Sequence, residues 1–389
     1  MRESLFPTYA PPAELVFTRG QGSYLYTEDN QAYLDLLAGI AVNSFGNCHP
    51  HLVDALKDQS EQLWHISNLF RIPQAERLAD RLTELCFAER VFFANSGAEA
   101  AEAGIKSMRR YQFEQGNANK TRILAFKGSF HGRTTATIAA SGNPLHIKGF
   151  LPNDLGFTQL DWEDLNAVRA AMSDEIAGII VEPVRGEGGV TPASQEFLQG
   201  LREICDESGA LLMFDEVQCG IGRTGAFFAH QNYGITPDVM ALAKGLGGGF
   251  PIGACLTTAE VGDVMQPGSH GTTFGGNPLA GAVGNAVLDL LLEPALLEHV
   301  KARGLQLRST LEQLCSDFPD LFSAVSGAGL MLGLSCKIEN AVFSRACLNQ
   351  HLVVGKAGGN MTRFLPPLNI SDAELQEASE KLQEAAKSI

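Results

Sequence analysis

Between Val91 and Leu256 the chain alternates short apolar runs with longer segments of helical spacing. The runs are RVFFAN, RILAF, IAGIIVEPV, ALLMFDEV, DVMALA and IGACLTT. Apolar runs of strand length separated by helices describe strands covered on both faces, so the pattern predicts an α/β architecture with a large, mainly parallel sheet. Helices are expected over residues 98–113 and 195–207, the second with Phe197, Leu198, Leu201 and Ile204 near helical spacing. Ahead of this block, GSYLYTEDNQAYLDLLAGIAV splits into two alternating stretches around Glu28, Asp29 and Asn30, which predicts an N-terminal hairpin. Behind it a helix is expected from about residue 278 to 292, where Glu293 and Pro294 stop it, then mixed segments and a last helix over 372–388. Three regions follow: an N-terminal segment with the hairpin at 1–48, a large domain at 49–276 and a smaller α+β domain at 277–389. The chain has no internal repeat, low-complexity tract or long linker.

Composition narrows the partners. With 29 Lys+Arg against 44 Asp+Glu, the formal charge is −15, which repels phosphate backbones and anionic lipid surfaces. Neither nucleic acid nor a membrane is therefore an expected partner. The eight cysteines form no CxxC pair and several lie inside apolar runs, as free thiols do in a reducing compartment. The start MRESLFPTYAPP has no apolar stretch behind its positive charge, and no later run has bilayer-spanning length, so a cytoplasmic, unprocessed chain is expected. Nine histidines without an HExxH motif or a Cys/His cluster give a metal centre no support.

The most informative stretch is 211–249, LLMFDEVQCGIGRTGAFFAHQNYGITPDVMALAKGLGGG, where Asp215 ends one apolar strand and Lys244 follows the next. Ligands of open α/β sheets bind at the carboxyl ends of strands, so the two side chains would share a crevice. A lysine kept neutral by burial and neighbouring cations can form a Schiff base. An aspartate facing a pyridine nitrogen keeps that ring protonated, so that it withdraws electrons from a substrate carbanion. Each residue alone reads as an ordinary cap or a solvated lysine; jointly they favour a functional role. The GLGGG run at 245–249 is broken by Phe250 and Pro251 before any helix, so it is a poor dinucleotide fingerprint.

Three further stretches add candidate roles. In NSGAEAAEAG (95–104), Ser96 and Glu99 have capping-box spacing directly after a strand, and Gly97 and Ala98 would let a phosphate approach a helix N-terminus, although a capped helix binding nothing has the same signature. In FKGSFHGRTT (126–135), Phe130 offers a ring to stack on a cofactor and Arg133 a fork for a substrate carboxylate, with core packing and a surface ion pair as the plain alternatives. In VEPVRGEGGVTP, Glu182 ends a strand and Glu187 sits in a glycine-rich loop where a carboxylate can change partners or simply be solvated.

Taken together, NSGAEA, FHGRT, VEPVRGEGG, FDEVQCGIGRTG, AKGLGGGFPIGA and HGTTFGGNP resemble, in order and spacing, the class III aminotransferases along nearly the whole chain. The resemblance implies the fold-type I architecture of pyridoxal-phosphate enzymes and a homodimer with active sites between subunits. It makes Lys244 the Schiff-base lysine and Asp215 the pyridinium partner. It puts Gly97 and Ala98 at the phosphate, Phe130 on one ring face, and Glu216, Val217 and Gln218 among the cofactor-binding positions. Thr273 would reach the neighbouring subunit's phosphate, with Thr272 nearer the substrate. Within the class, GIAVNSFGNCHP, LWHISNLF, ERVFFANSGAEA and TRFLPPLNI look most like the branch that carries the δ-amino group of N-acetylornithine to 2-oxoglutarate in arginine biosynthesis. That branch implies Arg133 for the carboxylate of the acylated ornithine, Arg363 for the α-carboxylate of glutamate, and Glu187 as a mask on Arg363 when glutamate is absent. Succinylornithine, succinyldiaminopimelate, ornithine and 4-aminobutyrate transamination share the machinery, and a cofactor-binding scaffold without turnover is the non-enzymatic alternative, which Lys244 argues against. One departure is Cys219, where many relatives have threonine, a change small enough to preserve packing.

Overall fold

The computed structural model describes residues 4–12, 14–150 and 155–389; the first three residues of the leader-free start expected above lie outside them. Two strands, β1 (Phe17–Gln21) and β2 (Tyr24–Thr27), are followed by β3 (Ala32–Asp35), and β2 and β3 form the expected hairpin. Asn30 takes a left-handed φ of 63° in its turn, a conformation asparagine tolerates better than most residues.

The central sheet comprises β4 (Arg90–Ala94), β5 (Arg122–Phe126), β6 (Phe157–Leu160), β7 (Ile176–Val181), β10 (Leu211–Asp215), β11 (Val239–Leu242) and β12 (Gly253–Thr257) in the order β4-β12-β11-β10-β7-β5-β6. A short antiparallel pair, β8 (Val184–Arg185) and β9 (Thr191–Pro192), lies outside it. Strand β12 pairs antiparallel with both neighbours and the other pairings are parallel, so IGACLTT is the exception in a mainly parallel sheet.

Side-chain alternation divides the two faces. Ile123, Ala125 and Met213 pack with Ala101, Ile105 and Met108 of the helix Gly97–Glu114. Leu124, Phe126, Leu212 and Phe214 pack on the other face with Phe197, Leu201 and Ile204 of the helix Gln195–Ser208. Each such buried Leu, Ile, Met or Phe side chain contributes about 1.5–3 kcal/mol. Ser194 caps the second helix through Phe197 N and Gly209, at φ 67°, ends it.

The C-terminal part forms a four-stranded antiparallel sheet in the order β13 (Phe322–Ala328), β14 (Met331–Cys336), β17 (Met361–Phe364), β16 (Gly355–Ala357). Strand β15 (Leu352–Val353) leaves that sheet and pairs in parallel with β3, so the N-terminal hairpin is carried by the C-terminal part. The helix Pro278–Leu291 packs on helices Pro50–Ser60 and Pro73–Glu84, and Asp372–Lys387 closes the chain.

Arg223 joins the two parts. It is 1% exposed, donates to the carbonyls of Leu330 (3.1 Å) and Pro366, and burial pushes its guanidinium down to about 9. Charge-assisted bonds to two carbonyls from a fully buried side chain are worth about 3 kcal/mol together with the packing lost on truncation. Arg223→Ala is therefore expected to lower the thermal midpoint by several degrees in a scanning calorimeter; an unchanged midpoint would show that the clamp contributes nothing.

Candidate active site

All the parallel strands point one way, so their carboxyl ends share one edge. Around a cavity of about 440 Å³ on that edge stand Ala98, Phe130, Glu182, Asp215 and Lys244. The chain delivers them differently: Asp215 is the last residue of β10, Glu182 follows β7, and Lys244 opens a single 3-10 turn two residues after β11.

Lys244 sits in the left-handed region with φ 46°, strain that a β-substituted residue bears only where its surroundings hold it. Burial first, and the Arg363 charge second, lower its ammonium pKa to about 8, against the opposite pull of Glu187, Asp215 and Glu182. The amine is thus neutral above about pH 8 instead of 10.5. Uptake of pyridoxal phosphate by cofactor-free protein, followed through the absorbance of the lysine-linked cofactor, should accelerate as pH rises through this value. A midpoint above about 10 would mark Lys244 as an ordinary solvated amine.

Asp215 is 3% exposed. Its Oδ1 accepts from Val217 N at 3.0 Å and its Oδ2 lies 2.7 Å from His131 Nδ1. His131 is buried, which disfavours its charged form, but the bond and charge of Asp215 outweigh this and raise its pKa. Asp215 and Val217 line the cavity, while the carboxylate of Glu216 between them is held by Ala229 N, His230 N and His230 Nδ1. Val217 and Gln218 line the cavity.

The helix Gly97–Glu114 presents its N-terminus there. Ser96 accepts from Glu99 N at 3.2 Å, while the Glu99 carboxylate reaches Asn95 N at 2.6 Å, one residue earlier than in a reciprocal capping box. The unpaired N–H groups and positive dipole end suit a phosphate. Gly97 has a packing reason as well: a Cβ there would stand 2.6 Å from Val217 Cγ1.

At the outer end, exposed Arg133 lies over the Phe130 ring at 5.6 Å, and His146 meets that ring edge-on. Arg363, on β17, is 2% exposed; its Nη1 reaches Glu187 Oε1 at 2.6 Å and Gln218 Oε1 at 3.1 Å. Thr272 and Thr273 lie elsewhere, lining a neighbouring cavity of about 570 Å³ with Glu99 and Phe274. Asn95 borders both cavities and donates to Thr272 Oγ1 at 3.4 Å.

Sequence reasoning assigned no role to His131, whose partner is 84 positions away. It noticed Glu182 without a role, yet that residue is buried among Phe130 N, Gly186 N and His131. The donor set fits pyridoxal phosphate: a buried amine with a lowered pKa for its aldehyde, a buried carboxylate for its ring nitrogen and a helix N-terminus for its phosphate.

The comparisons with known proteins agree. The family model for class III aminotransferases matches residues 7–386. An acetylornithine aminotransferase from Mesorhizobium japonicum is 50% identical over 386 residues, covering 99% of this chain and 96% of that protein. The structure of N-acetylornithine aminotransferase from Stenotrophomonas maltophilia superposes with TM-score 0.85 at 38% identity over 97% of this chain and 96% of its own. Ornithine aminotransferase from Toxoplasma gondii, described with partial occupancy of pyridoxal phosphate at its active site, gives 0.94 at 30% identity over 99% and 92%. The architecture is fold type I and the cofactor is pyridoxal phosphate. With the matched family spanning nearly every residue, this chain belongs to the class III aminotransferases.

Proposed function

We propose that this aminotransferase carries the δ-amino group of N-acetylornithine to 2-oxoglutarate, giving N-acetylglutamate 5-semialdehyde and glutamate in arginine biosynthesis. The observation that carries this reading is the Arg363–Glu187 pair at 2.6 Å beside Lys244, with Arg133 exposed at the outer lip. The names of the similar enzymes above support it.

Pyridoxal phosphate, when bound, supplies an aldehyde for the amino group and a ring that accommodates the electrons left on the substrate carbon. Gly97 and Ala98 would hold its phosphate, Asp215 its ring nitrogen, and Phe130 and Val217 its ring. Lys244 Nζ, once released, moves a proton away from the carbon that bears the δ-amine. N-acetylornithine carries one carboxylate, far from that carbon, whereas 2-oxoglutarate carries a second one beside its reacting carbon. Arg133 takes the far carboxylate of either; Arg363 takes the near one of 2-oxoglutarate, and Glu187 covers Arg363 when the donor is bound.

Two measurements test this. Among N-acetylornithine, succinylornithine, succinyldiaminopimelate, ornithine and 4-aminobutyrate, the first should show the highest kcat/KM with 2-oxoglutarate; another donor at the top would replace it in the assignment. Arg363→Ala should raise KM for 2-oxoglutarate about 100-fold, the cost of truncating one partner of a buried charge pair, and KM for N-acetylornithine less than about tenfold. Equal rises would refute the division of labour.

The proposal includes a homodimer. Trp64 (65% exposed), Leu69 (88%), Phe70 (64%) and Phe274 (58%) are solvent-facing, and Asn68 ties their two segments by donating to Thr272 O and Gly275 O. A second copy would cover them, leaving Thr273 to meet the partner's phosphate. A measured mass of twice 41.7 kDa is expected. The domain division belongs here too: residues 49–276 as the cofactor-binding body and 277–389 as the smaller one, with 1–48 attached through β15. A cytoplasmic setting is supported by eight free thiols. The charge of −15 favours small-molecule substrates over nucleic acid or membranes, and no single helix among the described residues is long and apolar enough to cross a bilayer.

A further inference from the structure

One buried carboxylate near the cavity is used by no step above. Glu182 is 4% exposed and follows β7 directly. Its Oε1 accepts from Phe130 N at 2.8 Å and its Oε2 from Gly186 N at 3.1 Å. These amides belong to different loops. The first continues into His131 and Arg133, the second into Glu187. The loops also meet at their backbones: a Cβ on Gly188 would lie 2.3 Å from Gly128 O, and Arg185 Nη1 donates to Lys127 O at 3.3 Å. The second loop is pinned in turn to the turn before β17, because Gly358 N donates to Glu187 O at 2.8 Å.

We infer that Glu182 is a positioning residue for substrate recognition, its single carboxylate tying the loop that carries Phe130 and Arg133 to the loop that carries Glu187. The distance between the outer cation and the switchable pair is thereby fixed, and that distance selects the length of substrate accepted. This inference rests on the roles given above to Arg133, Glu187 and Arg363. A carboxylate suits the task because it offers an acceptor to each amide, whereas a glutamine offers one acceptor and turns its NH₂ on the other donor. Burial first, with the Asp215 charge adding to it, pushes the Glu182 carboxyl up to about 7, against His131 and the two amide bonds. Above that pH both tethers are made; below it the protonated oxygen loses one of them.

The test uses the holoenzyme and the variants Glu182→Gln and Glu182→Asp, which lose one amide bond or the reach to both. Amide hydrogen exchange read by mass spectrometry should rise at least about tenfold in the segments 127–134 and 183–190 and stay unchanged in β10 and β11. KM for N-acetylornithine and for 2-oxoglutarate should each rise roughly tenfold, the factor equivalent to the loss of one charge-assisted bond, while kcat changes less than about threefold. In the unmodified enzyme KM should climb as pH falls through about 7; in Glu182→Gln it should stay high on both sides. The other titratable groups facing this carboxylate, His131, Asp215, Arg185, Cys219 and Lys244, are kept in that variant. Exchange unchanged in either segment, exchange rising evenly along the whole chain, or unaltered KM values would each overturn the inference. Failure of unmodified enzyme to use N-acetylornithine would count against the substrate assignment alone, since the exchange measurement needs no turnover.

Discussion

Lys244→Ala is expected to fold and to take up pyridoxal phosphate without fixing it covalently, while turnover falls by at least about 10⁴-fold, the upper range for a group that carries proton transfer. Truncation removes a buried cation that burial and Arg363 already disfavour, so the folded state loses little. The left-handed φ of 46° is as strained for alanine as for lysine. Lys244→Arg should be as inactive as the alanine variant, because a guanidinium is never neutral at working pH and cannot take a proton. Stopped-flow absorbance with N-acetylornithine alone measures the first half of the reaction. If either variant keeps a rate within tenfold of the unmodified enzyme, Lys244 is not the group that moves the proton.

Lys244 was legible in the sequence because strand-end placement is a local property. An apolar run that stops at a charge, repeated in two parallel strands, puts both charges at one sheet edge whatever the rest of the chain does. Some helix spans were legible for a similar reason, since apolar spacing is local: the expected span 195–207 differs from Gln195–Ser208 by one residue and 278–292 from Pro278–Leu291 by one. Strand β6 was not expected, since FTQL at a sheet edge is only four residues long and half polar. Resemblance carries the DEVQ stretch as a block, whereas the structure shows where each side chain of it goes, the Glu216 carboxylate to Ala229 N and His230 N. What the pattern could not supply were pairings across long sequence separations. Asp215 with His131, Glu182 with Phe130 N and β3 with β15 depend on topology, and nothing near those residues in the chain encodes the partner.

Arg363 joins these two kinds of information. The run TRFLPPLNI marks it only by resemblance, and the structure supplies the physics: a guanidinium 2% exposed needs a counter-charge, and Glu187, half-exposed on a glycine-rich loop, can provide it and withdraw. A buried pair with one partly exposed partner is a poor stabiliser, and the proposed role uses it as a switch. Its neighbour Lys244 feels both charges with opposite sign, so covering and uncovering Arg363 also changes the field at the reacting amine.

Asp215→Asn is expected to lower kcat about 10³-fold while leaving KM values within about threefold. The size follows from charge: a close ion pair in a partly buried site is worth about 4 kcal/mol at an effective dielectric of about 20, which is close to three powers of ten in rate. The sign follows from when that charge matters. In the proposed roles substrate binds through Arg133 and Arg363, whereas Asp215 would act only as the substrate carbon loses its proton, so the loss should fall on kcat. Asparagine that keeps its one oxygen on Val217 N faces His131 Nδ1 with its NH₂ group, which also frees the imidazole from the charge that raises its pKa. His131→Ala, which keeps the carboxylate and removes only its support, should cost about tenfold. If the asparagine variant instead loses thermal stability and retains kcat per folded molecule, the carboxylate serves to clip Val217 and His131 together, and the electron-accepting role must be sought at another residue of the cavity.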